Sequence, residues 1–279
     1  MNIRQTYILA SLLIVSSVYS QVIYPPDSMA SSVKKEKTIN KQIIPYTYLR
    51  EADVQWQKTI WRVIDLREKI NLPLYYPITD MGSRVSLFQV LKKGILNNEI
   101  MAFNDDEFLS PMSLFDVRKK FMRCDSLDYQ YVDEITGEPK SKRILACDSV
   151  GIYNDVKSYE IKEEWFFDKQ KSVMEVRILG IAPRRYDEEK DINITLFWVY
   201  FPACRPLLAT HETFNPQNEA EQMSYDDLFI KRMFSSFISK ESNVYDRRIA
   251  EYAHGIDALL ESDRIKNEIF EYEHNLWHY

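Results

Sequence analysis

The stretch SYEIKEEWFFDKQKSVMEVRILGIAP, from Ser158 to Pro183, does most to limit what this chain can fold into. Apolar and polar residues alternate on either side of DKQKS, a pattern that predicts two antiparallel strands of roughly ten residues joined by a tight turn. In the first strand Tyr159, Ile161, Glu163, Trp165 and Phe167 share one face, and Glu160, Lys162, Glu164 and Phe166 share the other. A third strand, Ile192 to Phe201, follows the loop RRYDEEKD and completes a meander. Its Ile192, Ile194, Leu196 and Trp198 lie on the face expected to be buried. Upstream, DYQYVDEITGEPKSKRILAC reads as a further hairpin whose turn holds Gly137 and Pro139.

Helical spacing flanks these strands. ADVQWQKTIWRVIDLREKI places Trp56, Ile60, Val63 and Ile64 on one helical stripe, with Asp53 as N-cap and a stop near Asn71, ahead of Pro73. LPLYYP is then an extended, proline-bracketed segment. A second helix over about 84–97 gathers Val85, Phe88, Leu91 and Ile95 on one face. A third begins near Pro111, capped by Ser110, and is expected to turn Leu114, Phe115 and Phe121 inward. After the polar loop HETFNPQNEAEQM, helical stretches are expected over about 225–239 and 244–272. In the first of these, Leu228, Phe229, Met233 and Phe237 form an apolar stripe. The fold class is therefore α+β: an antiparallel β meander packed with several amphipathic helices, and a helical C-terminal region.

The N-terminal MNIRQTYILASLLIVSSVYSQ has one early positive charge, Arg4, then an apolar run from Tyr7 to Val18 with Val18 and Ser20 placed for signal-peptidase cleavage. A run this short suits a cleaved leader better than a membrane span, with an uncleaved anchor as the alternative. The expected division is a signal peptide over 1–20, a flexible arm over 21–44, an α+β core over 45–210 and a mainly helical region over 211–279. Cleavage after Ser20 would remove Arg4 and shift the formal charge from -6 to -7. No later segment is apolar enough for a direct membrane span, so the mature protein is expected to be exported and soluble.

Composition narrows the function classes. The net charge is -6 without long single-sign blocks, which argues against nucleic acid as the main partner. The 6 glycines are scattered, so no phosphate-cradling loop is present. The 3 cysteines, Cys124, Cys147 and Cys204, are an odd count for an oxidising compartment. Cys124 and Cys147 are a possible disulfide that would close a loop of about two dozen residues and contribute roughly 3 kcal/mol; three buried thiols are the alternative.

Glu163 and Glu164 are the obvious carboxylate pair, but neighbours on a strand point to opposite faces and cannot flank one glycosidic bond. Beside Lys162 and Asp168 they read instead as charges on a solvated or subunit-facing strand surface. His274 and His278 have helical metal spacing but sit at the C-terminus, where a frayed tail is the plainer reading. His211 and His254 are isolated, and no G-x-S-x-G is present. No catalytic residue, metal or cofactor is expected. The aromatic residues remain: Trp56, Trp61, Trp165, Trp198 and 18 tyrosines, core material with some left for interfaces.

Three blocks carry a family resemblance. DVQWQKTIWRVIDLREKINLPLYYP (53–77), IKEEWFFDKQKSVMEVRILGIAP (161–183) and LFWVYFPACRPLLA (196–209), in this order, resemble the gliding motility protein family GldN, also called PorN, of the type IX secretion system. The resemblance implies a periplasmic, non-enzymatic subunit at the inner face of the outer membrane. It implies a ring formed by self-association with a GldK/PorK-like lipoprotein, in contact with a GldM/PorM-like motor stalk. A ring needs different patches on the two sides of each protomer, and Trp165 and Phe167 are the residues expected to supply one. The alternative class is a periplasmic hydrolase or carbohydrate-binding protein, which a convergent site with a perturbed carboxylate would favour.

Overall fold

Val54–Asp65, whose spacing predicts a helix, is a 12-residue strand, β1. A 3-10 turn, Lys69–Asn71, leads into a single helical turn, α1 (Leu72–Tyr75), where an extended segment is expected. α2 (Leu87–Leu96), the short β2 (Ala102–Phe103) and α3 (Leu114–Lys120) follow. Next come the hairpin strands β3 (Arg123–Val132) and β4 (Pro139–Asp148), then the long pair β5 (Val156–Asp168) and β6 (Val173–Asp187). The expected third meander strand is divided into β7 (Ile192–Thr195) and β8 (Trp198–Tyr200), and Phe201 opens α4 (Phe201–Thr210). β9 (Glu212–Thr213), β10 (Met223–Ser224), α5 (Tyr225–Ile230), β11 (Phe237–Glu241) and α6 (Ile256–Leu276) complete the order. This computed structural model describes residues 42–79, 84–121, 123–132, 139–148, 156–187, 192–218 and 221–276. The expected leader, nearly all of the expected arm and Gly137 lie outside the described residues.

The main sheet runs β11-β1-β5-β6-β8-β2, with β7 also on β6, and every pairing in it is antiparallel. The mixed α+β class with an antiparallel sheet is as the alternation predicts. β1 departs from expectation because it is central: it buries Ile60, Trp61, Val63 and Ile64, two on each face. A strand covered on both sides has a nearly continuous apolar run, and such a run fits helical spacing as well as strand spacing. Its β-branched and aromatic content then favours the strand.

Three other segments differ. α3 is capped by Ser113, whose Oγ accepts from the Asp116 amide at 3.2 Å. The later start turns Val117 and Phe121 inward and leaves Leu114 and Phe115 exposed. Among the described residues β7 pairs with β6 alone; Ile192 is exposed and Ile194 half-buried, whereas Leu196 and Trp198 are buried as expected. The helix expected over 225–239 ends at Ile230, past which Arg232 adopts φ 54°. Phe237–Glu241, inside the region expected to be mainly helical, instead adds β11 to the edge of β1.

One sheet face carries Ile64, Tyr159, Ile161, Ile178 and Ile181 into the main core, with Leu87, Phe88 and Leu91 of α2, Leu208 of α4 and Phe229 of α5. Further along, Ile60 packs with Ile238 of β11 and with Ile265 and Ile269 of α6. The opposite face buries Trp61, Ala182 and Trp198 beneath Phe103 and Phe108.

Candidate functional site

Strand alternation does separate Glu163 from Glu164, but Glu163 is not on a wet surface. It is 0% exposed. Arg232 places Nη1 2.9 Å from Oε1 and Nη2 3.2 Å from Oε2, and the Trp165 indole N–H donates to Oε2 at 3.1 Å. Glu160, on the other face, is equally buried, held by Arg248 and with Arg184 at 3.9 Å. Asp168, also expected on a wet edge, is buried and accepts from the Gln170 amide at 2.8 Å. Only Glu164 keeps partial exposure, beside the Gln57 amide. The expectation of a solvated or subunit-facing strand surface is therefore corrected. Arg232 and Arg248, which hold Glu163 and Glu160, lie 69 and 88 residues away in sequence, beyond the reach of any local pattern.

Arg62 extends this buried polar strip. Its Nε donates to Ser236 Oγ and its Nη2 to the Ser236 carbonyl, both at 2.9 Å. Burial pulls its pKa below the usual guanidinium value, with Glu163 opposing and Arg232 adding to the shift. Together these contacts stitch the 232–248 segment to β1 and β5.

Trp165 is half-buried. It packs on the cluster of Ile60, Ile238, Ile265 and Ile269, with the Arg232 guanidinium 5.7 Å from its ring centroid. Phe167 is 7% exposed. Both aromatics expected at a subunit interface thus spend most of their surface inside the chain.

On the opposite face, Asp106 ties a loop to the sheet. Trp61 donates its indole N–H to Oδ2 at 2.9 Å, and Lys162 Nζ lies 3.1 Å from Oδ2 and 2.9 Å from the Asp106 carbonyl. Burial raises the carboxyl pKa, but the bonds and charge of Lys162 and the bond from Trp61 outweigh it, holding Asp106 below the usual range. Lys162 and Lys240 also sit over the Trp61 ring, at 5.2 and 4.4 Å from its centroid.

The remaining candidates are dispersed. His274 stacks on Phe270 with centroids 6.4 Å apart, and His278 lies outside the described residues. His211 Nδ1 is 2.9 Å from the Leu207 carbonyl. Among the described residues, no group of three or more His, Cys, Asp or Glu could hold a metal ion. An open cleft of about 470 Å³ between β1 and α6 is lined by Trp56, Lys58, Glu268 and Tyr272, but Trp56 and Tyr272 stack on each other at 5.0 Å. Cys204 is buried and donates to the Tyr200 carbonyl at 3.2 Å; burial pushes its thiol up to about 12. The β3–β4 register pairs Cys124 with Cys147.

α6 carries apolar residues on two sides. Ser262, Ile265 and Ile269 face the sheet, while Ile256, Leu259, Leu260 and Phe270 are each more than half exposed on the other side. The helix expected over about 244–272 begins only at Ile256, and it carries an apolar stripe on each side. Among the described residues, no helix is long and apolar enough to cross a membrane.

A family described as "Gliding motility associated protein GldN" matches residues 49–278, nearly the whole of the described chain. No curated protein matches it. The match places the chain among components of the type IX secretion and gliding motility machinery. It belongs to the GldN family.

Proposed function

We propose that the protein is a structural subunit of the type IX secretion and gliding motility machinery. In this reading it is exported to the periplasm and assembles with copies of itself and a GldK/PorK-like lipoprotein into a ring at the inner face of the outer membrane. The ring contacts a GldM/PorM-like motor stalk. The observation that carries the reading is the family match over residues 49–278.

The contact surfaces follow from what the fold leaves open. Trp165 acts on assembly through the protomer: it packs on the cluster that seats α6, and the outer stripe of α6 meets the neighbouring copy in the ring. Large exposed apolar residues aligned on one helix face are the kind of surface that subunit contact covers.

The test is copurification of the full chain with the envelope lipoprotein, followed by electron microscopy. Leu260→Asp and Phe270→Asp variants should fold normally, keep their circular dichroism spectra and fail to form rings. Intact rings from both variants would refute the α6 contact. Failure of the unmodified chain to bind the lipoprotein would refute the ring reading itself.

A further inference from the structure

We infer that Cys124 and Cys147 form a disulfide that staples the base of the β3–β4 hairpin. The register pairs Arg123 with Asp148, Cys124 with Cys147 and Asp125 with Ala146, so the two cysteines occupy directly opposed positions. Opposed residues of antiparallel strands have Cα atoms about 4.5–5.5 Å apart, inside the span of roughly 4.4–6.8 Å that a disulfide bridges. Cys124 is the second residue of β3 and Cys147 the second-to-last of β4, at the end away from the turn. The pair also forms a sheet of its own. A hairpin of two strands is marginally stable alone in water, and a covalent link at its open end removes much of the freedom it would gain on fraying.

The third cysteine does not compete. Cys204 is 1% exposed within α4, and exchange requires an accessible thiolate. The odd count therefore resolves into one pair and one buried thiol.

The inference rests on export to an oxidising compartment, where a dithiol oxidase in its disulfide form is the oxidant. One cysteine thiolate attacks a donor sulfur, giving a mixed disulfide and releasing a donor thiolate. The second thiolate attacks the mixed disulfide and releases the donor as a dithiol. Two S–H bonds are lost and one S–S bond forms, with the two electrons and two protons passing to the donor.

The experiment takes the full chain from fractionated cells of its own host, alkylates it under denaturing conditions without reductant, and maps the peptides by mass spectrometry. The expected result is label on Cys204 alone and a linked Cys124–Cys147 peptide pair, lighter by two hydrogens than its parts. Dithiothreitol should then raise labelling threefold. Cys124→Ser should leave Cys147 open to label. A periplasmic chain with both thiols labelled, or with either linked to Cys204, overturns the bridge. A chain found in the cytoplasmic fraction refutes export instead. The reduced, purified full chain given the oxidised dithiol oxidase then decides the bridge: a linked pair supports it, and free thiols overturn it.

Discussion

Arg232 closes over Glu163: its Nη1 lies 2.9 Å from Oε1 of a carboxylate with no solvent exposure. This pair joins the loop after α5 to the centre of β5, and it converts a residue that looks catalytic into a fastening. A buried charge is tolerable only with its partner in place.

Arg232→Ala should therefore lower stability by about 3 kcal/mol, because it strands the Glu163 charge. The apolar double variant Glu163→Leu/Arg232→Met should lose less than Arg232→Ala alone. Urea unfolding of the two variants gives the comparison; a double variant weaker than the single one would refute the pairing.

Ile265 is fully buried between α6 and the sheet, so Ile265→Ala should lower stability by about 2–5 kcal/mol and loosen α6. Phe270 is 66% exposed, and Phe270→Ala should change stability by less than about 0.5 kcal/mol. Thermal unfolding of both variants separates the inner stripe from the outer one.

Gly180 faces Phe108 across a gap with no room for a side chain: an added Cβ would lie 2.5 Å from Phe108 Cζ and 3.3 Å from Trp198 Cε3. Gly180→Ala should destabilise by about 1–3 kcal/mol through overpacking. Adding Phe108→Leu should recover part of that loss in the melting temperature.

The depressed carboxyl of Asp106 makes a signed pH prediction. Its folded pKa lies below its unfolded one, so its contribution is complete above about pH 4 and is lost as pH falls through the folded value. Unfolding measured from about pH 6 to pH 2 should show a weaker acid dependence in Asp106→Asn than in the unmodified chain. Equal slopes would show that the contacts with Lys162 and Trp61 carry no linkage.

The Ser224 hydroxyl accepts from the Asp227 amide at 3.2 Å, while the Asp227 carboxylate accepts from the Ser224 amide at 3.0 Å. Ser224→Ala breaks this reciprocal cap of α5 and should lower stability by about 1 kcal/mol in chemical denaturation.

The amino-acid sequence by itself determined the β5–β6 pair, the inner face of α2 and the opposite orientation of Glu163 and Glu164. Each depends on a repeat of two or of about 3.6 residues within one segment, and local backbone geometry imposes that repeat. Only tertiary structure decided that Val54–Asp65 is a strand, because a segment buried on both faces carries no distinguishing period. It also decided that Phe237–Glu241 joins the sheet, by pairing with the open edge of β1. The same holds for the role of the glutamates. A lone carboxylate in a sequence looks equally at home in water or in a core, and the arginines that make burial possible for Glu160 and Glu163 arrive only when distant chain segments meet.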